Sequence, residues 1–90
     1  MLKTLENLIL LVRERKKNLP EGSYTSKLLQ DKLLSTAKIK EEMTELIEAV
    51  ENDSNKIHES ADVFYHLVVY LEANGVKIED VMNELDKRKK

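Results

Sequence analysis

Ala61-Asp62-Val63-Phe64-Tyr65-His66-Leu67-Val68-Val69-Tyr70-Leu71 is the stretch on which the fold turns. Wound as a helix it is apolar on nearly every side, and a helix without a polar face is normally interior. The run therefore predicts a helix surrounded by others. Asn74-Gly75 supplies its left-handed stop and Asn52-Asp53-Ser54 a tight turn before it, with Ser54 as the cap. Upstream, Ile39, Met43, Leu46, Ile47 and Val50 form one stripe at ~100° per residue, which marks a helix from about Ala37 to Glu51. Ser35-Thr36 could cap that helix. The alternative is one longer bent helix, because neither glycine nor proline interrupts Tyr24 to Glu51.

Further out the pattern repeats. Leu2, Leu5, Leu8, Ile9 and Val12 space a first helix that ends in Arg13, Arg15, Lys16 and Lys17, cations suited to a helix C-terminus. Asn18-Leu19-Pro20-Glu21-Gly22-Ser23 is the clear loop, after which Ser23 or Thr25 can cap a segment through Leu28, Leu29, Leu33 and Leu34. Ile78, Val81, Met82 and Leu85 mark a last helix that frays into Lys87-Arg88-Lys89-Lys90. The expected architecture is all-α, four to five short helices in a single domain over residues 1–90.

Composition agrees. Two glycines and one proline cannot punctuate a many-stranded β fold, and the absence of cysteine excludes disulfides and thiolate metal sites. A chain of 90 residues buries a modest share of its surface, so a homodimer, or a higher oligomer, is expected to complete the core. Fifteen basic against 17 acidic residues leave a net charge of −2. That balance and the lack of a reading motif argue against nucleic acid. No apolar run approaches the ~18 residues that span a bilayer. Met1-Leu2-Lys3 leads into an amphipathic repeat with no small-residue cleavage site after it. The expectation is a soluble cytoplasmic protein with no membrane partner.

Acidic residues concentrate where burial should exclude them. Glu41, Glu42, Glu45, Glu48, Glu51 and Asp53 fall between residues 41 and 53 with no base among them. On an isolated helix this reads as a solvated face. Glu42 and Glu45, however, share a face with Lys38 and Ala49 beside the apolar stripe, while Glu41 lies almost opposite its centre. In the interior helix Glu59 and Asp62 form a second i, i+3 pair, on the face of His66 and Tyr70. Asp62 alone would be satisfied by a salt bridge to Lys or Arg. Four carboxylates from two helices form a hard oxygen set suited to Mg²⁺ or Mn²⁺. A Glu-x-x-His di-iron pattern is absent, since neither His58 nor His66 follows a glutamate at that spacing. His58 reads as an ordinary packing or hydrogen-bonding histidine.

Glu41-Glu42-Met43-Thr44-Glu45, followed by Glu59-Ser60-Ala61-Asp62, resembles the E-E-x-x-E…E-x-x-D signature of the all-α nucleotide pyrophosphohydrolases of the MazG type. Within them the chain is most similar to the phosphoribosyl-ATP pyrophosphohydrolase family. Arg13-Glu14-Arg15-Lys16-Lys17-Asn18 with Pro20-Glu21-Gly22-Ser23-Tyr24-Thr25 is similar to that family's E-R-K…P-E-G-S-Y-T segment, and Lys27-Leu28-Leu29 continues it. Glu59 to Leu67 is similar to E-x-A-D-L-x-Y-H-L. Two departures stand beside the site. Lys40 replaces the glycine of K-V-G-E-E, and the G-x-D-K-I-L stretch has no clean counterpart between Gln30 and Ala37.

The resemblance implies a MazG-like bundle completed by homodimerisation. The implied activity is Mg²⁺-dependent hydrolysis of the α–β phosphoanhydride of phosphoribosyl-ATP, in histidine biosynthesis. It implies Glu42, Glu45, Glu59 and Asp62 as metal ligands and Glu41 as the group that orients or deprotonates water. Lys38, Lys27 and Arg15, with Arg13, Lys16 and Lys17 around it, would meet phosphate. Tyr24 would form part of the purine or ribose pocket, and Tyr65 and His66 would contact substrate or hydrogen-bond inside the core. Two other functions compete: a house-cleaning hydrolase of non-standard nucleoside triphosphates, and a non-catalytic helical dimerisation module favoured by Lys40.

Overall fold

The computed structural model describes residues 2–89, so Met1 and Lys90 lie outside the described residues. Five helices follow in order: α1 Lys3–Asn18, α2 Tyr24–Gln30, α3 Lys32–Glu51, α4 Lys56–Ala73 and α5 Ile78–Lys87. No strand occurs among the described residues, and none of their helices is long and apolar enough to cross a membrane. The all-α expectation holds. Helix α4 packs against α1, α2 and most extensively α3, as its apolar run requires.

The core gathers Val12 of α1, Leu28 and Leu29 of α2, and Val68, Val69 and Ala73 of α4, with Leu5, Leu8, Ile9, Leu34 and Tyr65 against it. Each such side chain contributes about 1.5–3 kcal/mol on full burial, so this is a small core. Its shortage shows in the surface. The molecule exposes 6777 Å², where a compact monomer of 10.4 kDa would expose ~5400 Å².

Two boundaries differ from expectation. The break between α2 and α3 falls at Asp31, whose Oδ1 accepts the Leu34 amide at 3.0 Å. Ser35-Thr36 is not a cap: Ser35 lies inside α3 and is buried. The short side chain of Asp31 satisfies an orphan helix amide, and the Gln30–Ala37 segment that departs from the family pattern is where this break sits. Ser23 caps α2 as expected, accepting the Ser26 amide. Ser54 does not cap α4; Asn55 holds that position without a side-chain hydrogen bond. Gly75 closes α4 with a left-handed φ of 71°, as its position after Asn74 requires.

Helix α3 is rolled by roughly a quarter turn from the orientation its apolar stripe would choose. Ser35, Glu42 and Ala49 are its buried residues, while Met43, Ile47 and Val50 remain 44%, 53% and 57% exposed. On α4, Ile57, Phe64 and Leu67 are likewise exposed, at i, i+7 and i+10 of one face. The bundle thus turns its carboxylates inward and leaves an apolar face outside.

Helix α5 stands apart. It buries none of its residues and meets the bundle through Ile78 and Met82, which line a groove of about 570 Å³ with Leu2, Leu5, Ile9 and Leu10 of the α1 side. Polar contacts hold it in place. Arg13 reaches Glu79 of α5 with both terminal nitrogens, at 2.9 and 2.5 Å, while its Nε meets Glu72 of α4 at 3.3 Å. Lys16 adds a 2.6 Å hydrogen bond to the Glu72 carbonyl. Glu79 is held down at about 2, chiefly by the hydrogen bond from the Arg13 guanidinium. Arg13 and Lys16 are therefore engaged in tying α1 to α4 and α5.

Candidate functional site

The quarter-turn roll of α3 brings its acidic face against the N-terminal half of α4. Glu42 (buried), Glu45 and Glu59 (both half-buried) each place a carboxylate oxygen within 4.8 Å of the other two. Asp62, one turn after Glu59, forms a second set with Glu59 and His58 at the same mutual spacing. Asp62 also acts electrostatically on Glu42, so the four carboxylates share one field. The four expected ligands are brought together.

No lysine or arginine ion pair reaches Glu42, Glu45, Glu59 or Asp62 among the described residues; the imidazole of His58 stands beside Glu59 and Asp62. Glu42 Oε2 and Glu59 Oε2 are fully enclosed and accept no hydrogen bond. Burial first, then the neighbouring Glu45, pushes the Glu42 carboxyl upward. Glu59 is raised by burial and by Glu45 in the same way. An unpartnered buried carboxylate costs several kcal/mol if ionised. Helices that fold into this arrangement carry a site whose electrostatic deficit a divalent cation would remove. The donor set, all oxygen at its centre, fits Mg²⁺ or Mn²⁺.

Around it stand the other residues singled out from the sequence. Glu41 is outside the cluster, on the exposed side of α3, with its Oε2 accepting a 3.1 Å hydrogen bond from Lys38 Nζ. That contact raises the Lys38 ammonium. Tyr24, half exposed at the start of α2, stacks on Tyr65 at 6.4 Å and 16°. Its hydroxyl lies 3.3 Å from His66 Nε2 and feels both Lys38 and Glu42. His66 is buried, and its Nδ1 is 2.9 Å from the Asp62 carbonyl. A carbonyl can only accept, so Nδ1 carries the proton, and in the neutral ring Nε2 accepts from Tyr24. Thus His66 links Tyr24 to the backbone of a cluster residue. Burial of Tyr24 near these groups raises its hydroxyl.

Lys27 lines a separate polar groove of about 870 Å³ with the Leu19–Ser23 loop, Gln30 and Lys32. Among the described residues no hydrogen bond or ion pair joins Lys27 or Arg15 to the acidic cluster. Thr25, which the sequence offered as a cap, instead meets the Tyr65 hydroxyl through its Oγ1 at 2.5 Å and so fixes the aromatic pair. Its place in P-E-G-S-Y-T was the available signal. Lys40 is exposed in an unbroken stretch of α3, where its carbonyl accepts from Thr44.

Known proteins match the chain closely. The profile of the family described as phosphoribosyl-ATP pyrophosphohydrolase matches residues 5–89. A "Phosphoribosyl-ATP pyrophosphatase" of Haloarcula marismortui is 41% identical over 90 residues, covering 94% of this chain and 92% of that protein. The "Histidine biosynthesis bifunctional protein HisIE" of Thermotoga maritima is 47% identical over 83 residues, 89% of this chain and 42% of that protein. The "Histidine biosynthesis trifunctional protein" of Kluyveromyces lactis is 51% identical over 76 residues, 84% of this chain and 9% of its own length. The chain therefore spans less than half of these two larger relatives and nearly all of the Haloarcula marismortui one.

Proposed function

Because the chain belongs to the phosphoribosyl-ATP pyrophosphohydrolase family, we propose that its acidic cluster hydrolyses the α–β phosphoanhydride of phosphoribosyl-ATP. The products would be phosphoribosyl-AMP and pyrophosphate, a cytoplasmic reaction of histidine biosynthesis. The observation that carries this reading is the set Glu42, Glu45, Glu59 and Asp62, gathered on two helices with two buried oxygens unpartnered. A bare acidic patch repels a triphosphate. These four side chains would hold Mg²⁺ or Mn²⁺, which supplies positive charge toward phosphate oxygens and acidity to a water.

The chain's own groups do the rest. Glu41, outside the ligand set, is the carboxylate left to orient the attacking water or take its proton. Lys38, beside it, offers an ammonium toward phosphate. Tyr24 and Tyr65 offer a stacked aromatic face to the purine or ribose. His66 is too buried to touch substrate; it positions Tyr24. Lys27, on the neighbouring groove, and Arg15, at the end of α1, would meet more distant phosphate only in an assembled oligomer.

The working form is a homodimer. The exposed residues Met43, Ile47, Val50, Phe64 and Leu67 form an apolar face larger than single surface residues would explain. The excess surface of ~1400 Å² over a compact monomer exceeds the ~800 Å² that each partner buries in a standard interface. Sedimentation would show a dimer for the wild type and a monomer for Ile47→Lys; a monomeric wild type removes this part of the proposal.

Pyrophosphate release from phosphoribosyl-ATP, with and without Mg²⁺, tests the activity. Turnover should require metal and fall at least ~100-fold in Asp62→Asn, beyond the ~10–100-fold typical of residues that merely orient ligands. Helicity should stay unchanged. Turnover of several deoxynucleoside triphosphates but not of phosphoribosyl-ATP would overturn the substrate choice.

A further inference from the structure

His58 is neither packed nor part of a hydrogen-bonded core. Its side chain is 70% exposed, yet its Nε2 stands 3.4 Å from Asp62 Oδ2 and 3.9 Å from Glu59 Oε1. We infer that His58 is a metal ligand, and that His58, Glu59 and Asp62 form a nitrogen-containing site for a borderline transition-metal dication, Co²⁺, Zn²⁺ or Mn²⁺, on the outer edge of the carboxylate cluster. The inference rests on the metal-binding reading of that cluster and adds to it a residue and a metal preference.

Geometry supports a shared ion. Donor atoms ~2.1 Å from one metal lie ~3.0 Å apart at right angles, ~3.4 Å at tetrahedral angles and ~4.2 Å when opposite. Both His58 distances fall inside that range, and all three donor atoms lie within 4.8 Å of one another. Residues 58 and 62 are one helical turn apart on α4, so the spacing is built into the backbone and needs no fold rearrangement. Glu59 belongs to both sets. Its Oε1 faces His58, while its Oε2 is enclosed and unpartnered. Behind it, Glu42 is 9% exposed, and its own unpartnered Oε2 belongs to the inner set. Glu59 is thus the residue the two sets share, with one oxygen toward the imidazole and the other enclosed without a donor.

Chemistry decides which ion. Mg²⁺ demands oxygen ligands and keeps its waters, whereas imidazole suits first-row transition metals. The inner set, Glu42, Glu45 and Glu59, has no nitrogen, and the outer set has one. The competing account of the 3.4 Å contact is an ion pair, in which a protonated His58 screens Asp62. The two accounts predict opposite signs when the ring is removed. A ligand lost weakens transition-metal binding; a screening cation lost strengthens the binding of any dication.

The test is calorimetric titration of the wild type and His58→Gln with Co²⁺ and, separately, Mg²⁺, in the absence of substrate. Circular dichroism confirms that this exposed substitution leaves the fold intact. The expected result is Co²⁺ affinity at least ~10-fold weaker in the variant, with Mg²⁺ affinity changed less than ~2-fold. The visible absorption of bound Co²⁺ should also change. Equal or tighter Co²⁺ binding in the variant overturns the role of His58 and leaves the carboxylate site standing if Mg²⁺ still binds. Failure of both ions to bind the wild type overturns the metal reading of the whole cluster, and His58 with it.

Discussion

Glu72 at the end of α4 and Glu42 midway along α3 are buried to nearly the same depth, 8% and 9% exposed, and their surroundings differ in every other respect. Glu72 meets Arg13, and Arg13 passes on to Glu79, so each negative charge has a cation within 3.3 Å. Glu42 meets Glu45, Asp62 and Glu59, and no lysine or arginine pairs with it among the described residues. One region holds its buried charge with the chain's own side chains. The other leaves the same charge for something else to hold. A buried acid with its cation supplied is a structural joint, and a buried acid without one is a candidate binding site.

Removing the cation from the satisfied end should have the largest effect on stability. Arg13→Ala strands Glu72 and frees α5. Loss of one partner of a buried pair costs 3–5 kcal/mol, and the partial exposure of Arg13 reduces this to about 2 kcal/mol. That is a fall of roughly 10 °C in Tm for a domain of this size. A fall below about 2 °C would erase the distinction between the two regions. The opposite sign is expected at the unsatisfied end. Glu42→Gln removes a strained charge, so the metal-free protein should gain up to about 1 kcal/mol at neutral pH, while Glu72→Gln should lose stability. If both substitutions destabilise equally, Glu42 has an unrecognised partner.

The smallest effect separates the regions by pH. Glu79 has an ordinary value of 4.5 lowered to about 2. Its contribution is complete above the ordinary value and is lost as pH falls toward the lowered one. Glu42 and Glu59 are raised. There the folded chain binds protons more readily than the unfolded chain, so their contribution falls as pH rises from the ordinary value through the raised one. In chelator, Tm should therefore decline as pH rises above the ordinary carboxylate range. A flat profile in Glu42→Gln, measured beside a sloping wild type, would attribute the decline to the cluster.

What was legible in the sequence follows the same divide. Helices α1, α4 and α5 announce themselves through apolar periodicity and caps that act locally, as with Asn74-Gly75. The carboxylate set was legible because Glu59 and Asp62 interrupt an interior helix, an anomaly visible in one dimension. The α2–α3 break was not, since Asp31 and Ser35 are equally good caps and only packing buries Ser35. The roll of α3 was hidden too: its apolar stripe is sound, yet Met43, Ile47 and Val50 stay exposed in this chain. Nothing local pairs Arg13 with Glu72, which are 59 residues apart. His58 looked ordinary because its meaning depends on where Glu59 and Asp62 point.

The central claim is that the unpaired carboxylates of α3 and α4 await a divalent cation, and thermal melting across a Mg²⁺ titration tests it most directly. Binding to the native state alone raises stability by RT ln(1 + [Mg²⁺]/Kd). The wild type should melt progressively higher from chelator to about 10 mM Mg²⁺, and Glu42→Gln should start higher and barely move. A wild type whose Tm ignores Mg²⁺ across that range, or a Glu42→Gln variant that shifts as much as the wild type, would contradict the account.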